Sequence, residues 1–232
     1  MKCAMFDKDG TLLDFDSYWI PIAVKAVEEI CSPYNINTTT KQKILDSIGI
    51  GEHVSISGVL CYGTYKEVTD AIYEAIRDAG IECSKYYIEC RTMDAFRTSA
   101  SAGKLIATST NLKSTLAKLK KAGFLLCVVT SDEYESTVNT LKKLDLYELF
   151  DEVLTADPLH KSKPDPYYIN YIQKKYSLKK EDMCMVGDTP LDMQFARNGG
   201  IRAFGVGKDL SSRLVLDQYA DVTAKDVETL YN

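Results

Sequence analysis

Apolar positions along the chain follow two different rhythms, and the change between them divides it. Residues 3 to 6 (Cys-Ala-Met-Phe) form an unbroken apolar run that ends in Asp7-Lys8-Asp9-Gly10-Thr11. A continuous run of that length reads as a buried strand, with the glycine marking the turn after it. From Trp19 the spacing becomes helical: Trp19, Ile22, Ala23, Ala26, Val27 and Ile30 lie at offsets 0, 3, 4, 7, 8 and 11, one face of a helix. Two more helices are expected near 64–78 and 83–97, the first opening at Gly63-Thr64 and stopping at Gly80. A glycine-containing stretch, Gly49 to Gly63, separates the helices. Residues from about 15 to 100 are therefore expected to be mostly helical, without a buried strand.

Beyond residue 100 the two rhythms alternate. Leu112, Leu116 and Leu119 build a helix stopped by Gly123, and Phe124 to Thr130 is a second buried strand. A helix over 133–143, a short strand from Glu152 to Thr155, a helix over 165–176, a strand from Met183 to Val186, a helix over 190–198 and a last clear strand from Ile201 to Val206 follow. Strands alternating with helices predict an α/β fold, a parallel sheet with helices on both faces. Ligands in such sheets bind at the carboxyl ends of the strands.

Composition narrows the function. The 232 residues suit one large α/β domain, or a core with a smaller insert. A net charge of -5 and a pI near 5.2 argue against a nucleic-acid surface. The one small basic cluster, Lys118, Lys120 and Lys121, reads as a solvated helix face. The seven cysteines show no CxxC spacing, so no zinc site is indicated, and their odd number favours a reducing, cytoplasmic compartment. The first strand starts almost at Met1, so no targeting segment is expected, and no run of about 18 apolar residues suggests a membrane span.

The chemistry lies at the strand ends. The first strand ends in Asp7 and Asp9, the second in Thr130 and Ser131, and the fourth in Gly187-Asp188 with Asp192 close behind. Lys163 follows the third strand. Each feature alone has a plain structural reading: Asp-Gly is a common turn, Asp188 could cap a helix, and a lysine before proline says little. Together, four aspartates converging on one crevice repel one another unless a cation sits among them. Carboxylate oxygens suit Mg²⁺, which can also hold a substrate phosphate. Lys163 and the Thr130 hydroxyl can bind phosphate oxygens. Asp7, at the strand tip, is placed for in-line attack on phosphorus, and Asp9 for proton transfer at the leaving oxygen. Asp188 is the expected direct metal ligand beside Asp7, and Asp192 is expected to bind a metal water or to steady Lys163.

These residues give the chain its resemblance to the haloacid dehalogenase superfamily. Phe6-Asp7-Lys8-Asp9-Gly10-Thr11-Leu12 looks like the first motif, Val128-Val129-Thr130-Ser131 the second, Lys163-Pro164 the third and Gly187-Asp188-Thr189-Pro190-Leu191-Asp192 the fourth. The resemblance implies a Rossmann-like core, residues 1–14 and 101–232, and a small helical cap, residues 15–100, that closes over the site. It implies a nucleophile at Asp7, an acid/base at Asp9, and Mg²⁺ held by Asp7, Asp188, Asp192 and the backbone carbonyl of Asp9. Thr11, Thr130, Ser131 and Lys163 are the expected phosphate contacts. The acid at Asp9 favours phosphate esters over haloacids or phosphonates. The text from Asp7 to Trp19 is similar to phosphoglycolate phosphatase-like members, so a small phosphorylated metabolite such as 2-phosphoglycolate is the expected substrate. Ser131, where many members carry Asn, and the missing Pro-Gly in Ile106 to Thr110 depart from that pattern. Gly49, Gly51, His53, Gly58 and Arg91 are candidate cap contacts, each with an ordinary surface reading beside it. A monomer or homodimer is expected. Two rivals stay open: a phosphomutase of the β-phosphoglucomutase kind, and a catalytically idle binding or regulatory protein.

Overall fold

A computed structural model describes residues 1–51, 54–156 and 159–231. His53 lies outside the described residues. The chain forms two compact units, one of Met1–Asp14 with Leu105–Asn232 and one of Phe15–Lys104. The second crossing between them falls at 104/105, where the sequence suggested 100/101. Residues 101–104 belong to the helical unit because they pack on its first helix: Lys104 N–H donates to the Ser17 carbonyl at 2.9 Å, and a side chain at Gly103 would lie 2.6 Å from the Tyr18 carbonyl oxygen.

The first unit opens with β1 (Lys2–Phe6). The helical unit then holds α1 (Phe15–Cys31), α2 (Thr38–Ser47), α3 (Val59–Tyr62), α4 (Tyr65–Asp78) and α5 (Lys85–Ser99). Its core is built from Ile22, Ile30, Ile44, Ile72, Ile88 and Phe96. Thr64 caps α4 with Glu67 in a reciprocal capping box, which satisfies donors that a helix start leaves open. Gly49 and Gly58 let two backbone segments touch, since a side chain on Gly49 would lie 2.8 Å from the Gly58 Cα. Arg91 donates to the Glu29 carbonyl at 3.2 Å, a tie within the helical unit.

The first unit resumes with α6 (Leu112–Lys121), β2 (Phe124–Val129), α7 (Tyr134–Lys143), β3 (Glu152–Leu154), α8 (Tyr167–Tyr176), β4 (Met183–Gly187), α9 (Pro190–Gly199), β5 (Arg202–Val206), α10 (Leu210–Leu216), β6 (Val222–Ala224) and α11 (Val227–Tyr231). Among the described residues the strands make one parallel sheet of order β3-β2-β1-β4-β5-β6. This is the doubly wound order of dinucleotide-binding folds, and it reverses direction between β1 and β4. The expected parallel α/β core is therefore present. Ala4, Phe6, Leu126, Val128 and Val186 share one buried cluster with Leu112 and Leu116 of α6. Period-two alternation sends Cys3, Met5 and Cys127 to the other face, where they too are buried. No helix among the described residues is long and apolar enough to cross a membrane.

Candidate active site

The reversal of strand order leaves a crevice outside the carboxyl ends of β1 and β4, and both strands end there in aspartate. Phe6 is in register with Val128 of β2 and Val186 of β4. The Asp7 N–H continues the ladder, donating to the Val186 carbonyl at 2.9 Å. Asp7 is thus the first residue beyond the paired strand and is held on a rigid element. The chain then closes a tight loop: the N–H groups of Leu12 and Leu13 both donate to the Lys8 carbonyl at 2.9 Å, and Gly10 N–H donates to the Leu13 carbonyl at 2.7 Å. Gly10 has a φ of +78°, and a side chain there would come within 2.0 Å of an Asp188 carboxylate oxygen. Only glycine lets that loop lie against Asp188.

On the β4 side, Asp188 and Asp192 are aimed by the start of α9. The N-cap of that helix is Thr189, not Asp188: its hydroxyl and N–H both donate to Asp192 Oδ2, at 2.6 and 3.1 Å. This leaves Asp192 Oδ1 for Lys163 Nζ, 2.6 Å away, and Lys163 Nζ also meets Asp7 Oδ1 at 2.7 Å. Asp188 Oδ1 accepts from the Thr11 hydroxyl at 2.9 Å.

The structure brings Asp7, Asp188 and Asp192 together, with one ligand atom from each all within 4.8 Å of one another. The expected group of four carboxylates is corrected here. The Asp9 side chain is paired with Lys8, Nζ lying 2.9 and 2.8 Å from its two oxygens, and its carboxylate is not among those that meet within 4.8 Å. Thr11 is also placed differently from expectation. It is fully buried and its hydroxyl is committed to Asp188, which makes it a support for that carboxylate. Thr130 is buried at the end of β2, its hydroxyl accepting from the Asp132 N–H at 3.2 Å, and Ser131 beside it is exposed.

Three buried carboxylates share one ammonium, and their proton affinities register the imbalance. Burial pushes the Asp7 carboxyl up to about 7; Lys163 opposes this, and Asp192 and Asp9 add to it. Burial, Asp7 and Asp192 raise Asp188 well above the usual carboxylate range. Burial disfavours charge on Lys163, but Asp192 and Asp7 outweigh it and raise its pKa. The site as built holds more negative charge than its own cation balances, and its donors are hard carboxylate oxygens. Both features fit a divalent ion such as Mg²⁺.

Two residues that the sequence reading passed over complete the surroundings. Lys8 is fully buried between Asp9 and Asp132, with Nζ 3.0 Å from Asp132 Oδ2. Burial opposes its charge and the two carboxylates override that, raising its pKa. The sequence around Lys8, Asp7-Lys8-Asp9-Gly10, reads as a polar turn after the strand and carries no signal that this lysine is buried.

Comparison with known proteins gives the family. The sequence profile of the family described as haloacid dehalogenase-like hydrolase matches residues 4–206. A phosphoglycolate phosphatase of Vibrio cholerae is 27% identical over 206 residues, covering 89% of this chain and 84% of its own. A phosphoglycolate phosphatase of Aliivibrio fischeri is 28% identical over 206 residues, with the same coverage of 89% and 84%. Among solved structures, a predicted phosphoglycolate phosphatase from Haemophilus somnus superposes with a TM-score of 0.73 at 22% identity, covering 97% of this chain and 94% of its own. With its profile matched across most of the core and its aspartates gathered at the switch point of the sheet, the chain belongs to the haloacid dehalogenase-like hydrolase family.

Proposed function

We propose that this phosphatase hydrolyses a phosphomonoester of a small anionic metabolite, with 2-phosphoglycolate as the leading substrate, through a phosphoryl group carried on Asp7. The observation that carries the reading is the convergence of Asp7, Asp188 and Asp192 within 4.8 Å around a surplus of negative charge, with Lys163 bridging Asp7 and Asp192. The substrate choice draws support from the phosphoglycolate phosphatases to which the chain is similar.

Mg²⁺ would be held by Asp7, Asp188 and the Asp9 carbonyl, with Asp192 supporting, and would supply charge neutralisation at the transferring phosphoryl oxygens. Asp7 forms a bond to phosphorus as the bond to the substrate's ester oxygen breaks. Asp9 gives its proton to that leaving oxygen. In the second half, water attacks phosphorus, Asp9 takes the water's proton, and the Asp7–phosphorus bond breaks to release inorganic phosphate. Lys163 holds Asp7 in its attacking position and offers positive charge to phosphate oxygens, joined by the Thr130 and Ser131 hydroxyls. The helical unit, Phe15–Lys104, is assigned as the cap domain and given the task of choosing the substrate.

The test is phosphate release from a panel of phosphomonoesters in Mg²⁺, with 2-phosphoglycolate and β-glucose 1-phosphate included. Release of phosphate that is abolished in Asp7→Asn and strongly slowed in Asp9→Asn is the expected result. Isomerisation of the sugar phosphate without phosphate release would instead identify a mutase. Turnover unchanged in Asp7→Asn would remove the assigned nucleophile.

A further inference from the structure

The buried ammonium of Lys8 is not part of the metal-binding group, and nothing in phosphoryl transfer at Asp7 uses it directly. Its side chain has 0% exposure, against 16% and 17% for the two carboxylates that it joins. A core position of that size is ordinarily filled by leucine or methionine, because burying an ammonium costs free energy that one salt bridge rarely returns. The contacts show what is obtained instead. Lys8 Nζ reaches both carboxylate oxygens of Asp9, at 2.9 Å to Oδ1 and 2.8 Å to Oδ2, and so fixes the orientation of that group as well as its position.

Lys8 is anchored in turn. Its other partner, Asp132 Oδ2, lies 3.0 Å away and also accepts from the Ser136 hydroxyl at 2.8 Å. Asp132 Oδ1 accepts from the Glu133 N–H at 2.7 Å, and the Asp132 N–H is given to Thr130 Oγ1 at 3.2 Å. The chain of contacts runs from the first turn of α7 and the end of β2, through Asp132 and Lys8, to Asp9.

We infer that Lys8, held by Asp132, is a positioning residue that aims the Asp9 carboxyl at the leaving oxygen and then at the attacking water. The inference rests on the reading of Asp9 as acid and base given above. The same carboxyl must meet two different oxygens in succession, and a side chain free to turn about its own bonds would lose alignment in both steps. A displacement of about 1 Å at a reacting group can cost on the order of 100-fold in rate.

The test uses Lys8→Met, Lys8→Met/Asp132→Asn, Asp9→Asn and Lys8→Met/Asp9→Asn in the full chain. The Lys8→Met/Asp132→Asn pair removes one positive and one negative charge, so the charge of the cluster is unchanged while the grip on Asp9 is gone. Asn at 132 keeps one oxygen for the Glu133 N–H, and its amide NH₂ can donate to the Ser136 hydroxyl oxygen in place of accepting from it. Both Lys8→Met and this pair should lose roughly 10- to 100-fold in kcat. Their KM should stay within about threefold, and thermal stabilisation by Mg²⁺ with beryllofluoride, which reports on Asp7, should persist. Lys8→Met should slow Asp9→Asn no further, because residues acting as a unit are not additive. Wild-type kcat in the charge-balanced pair would overturn the inference and make Lys8 a structural partner of Asp132. An equal further loss on top of Asp9→Asn, or failure of both Lys8 variants to fold, would overturn it too. Wild-type turnover by Asp9→Asn would instead sink the acid/base reading itself, an outcome distinct from the others.

Discussion

Withdrawing the divalent ion should make this protein's stability fall as pH rises from 5 to 8, opposite to the usual behaviour of paired carboxylates. The Asp7 carboxyl is raised from 3.8 to about 7 in the folded chain, through burial first and the neighbouring Asp192 and Asp9 charges after the opposing effect of Lys163. Between pH 4 and 7 the folded protein therefore keeps a proton at Asp7 that the unfolded chain has already released. Stability rises with pH only where the unfolded state binds more protons, and here it binds fewer. The contribution is whole below about pH 4 and is lost as pH climbs through about 7. At 1.36 kcal/mol for each tenfold step in proton affinity, the rise at Asp7 corresponds to about 4 kcal/mol. Asp188, also raised, acts in the same direction. For a chain of this size about 4 kcal/mol is on the order of 10 °C in Tm. The assay is thermal unfolding in EDTA at half-unit pH steps, repeated with millimolar Mg²⁺ and in Asp7→Asn. Mg²⁺ should flatten the decline, because a cation among the carboxylates takes the place of the proton, and its stabilisation should grow with pH. A flat EDTA profile, or one that Asp7→Asn leaves unaltered, would refute the electrostatic reasoning.

Other substitutions probe the parts separately. Gly10→Ala puts a methyl group 2.0 Å from Asp188 Oδ2 at a φ of +78°, so the Mg²⁺ concentration for half-maximal phosphatase activity should rise at least about tenfold; a Mg²⁺ titration reads it directly. Lys163→Met leaves Asp7 and Asp192 buried without their ammonium, and should cost about 3–5 kcal/mol in EDTA by urea unfolding, with part regained on adding Mg²⁺. Asp209 caps α10 by accepting from the Ser212 N–H at 2.7 Å; Asp209→Ala should cost about 1 kcal/mol in the same assay without altering kcat.

Much of the core could be read in advance because buried parallel strands are continuous apolar runs. Cys3 to Phe6, Phe124 to Val129 and Met183 to Val186 are of that kind, and each is a strand in register with its neighbours. The α4 start was legible from Gly63-Thr64 because Thr64 caps the helix there. Helix α2 was not legible: it opens on Thr38-Thr39-Thr40, poor helix formers, and buries only Ile44 and Leu45. Packing against α4 within the same unit decides it. Strand β6 has three residues, too few for a period to show, and takes its place from pairing with β5. At the site, chain order and the strand-end rule were enough to select Asp7, Asp188, Asp192 and Lys163. The direction of each side chain was not available. Thr11 turns its hydroxyl to Asp188 and the Asp9 carboxylate pairs with Lys8, contacts that sequence spacing does not supply.

The central claim is that Asp7 carries the phosphoryl group. Mixing enzyme, Mg²⁺ and excess 2-phosphoglycolate for milliseconds, quenching in acid and sequencing peptides by mass spectrometry tests it most directly. The account predicts a phosphoryl adduct on the peptide spanning Asp7, located at Asp7 and absent from Asp7→Asn. Steady phosphate release with no adduct at any quench time, or an adduct on another residue, would contradict it.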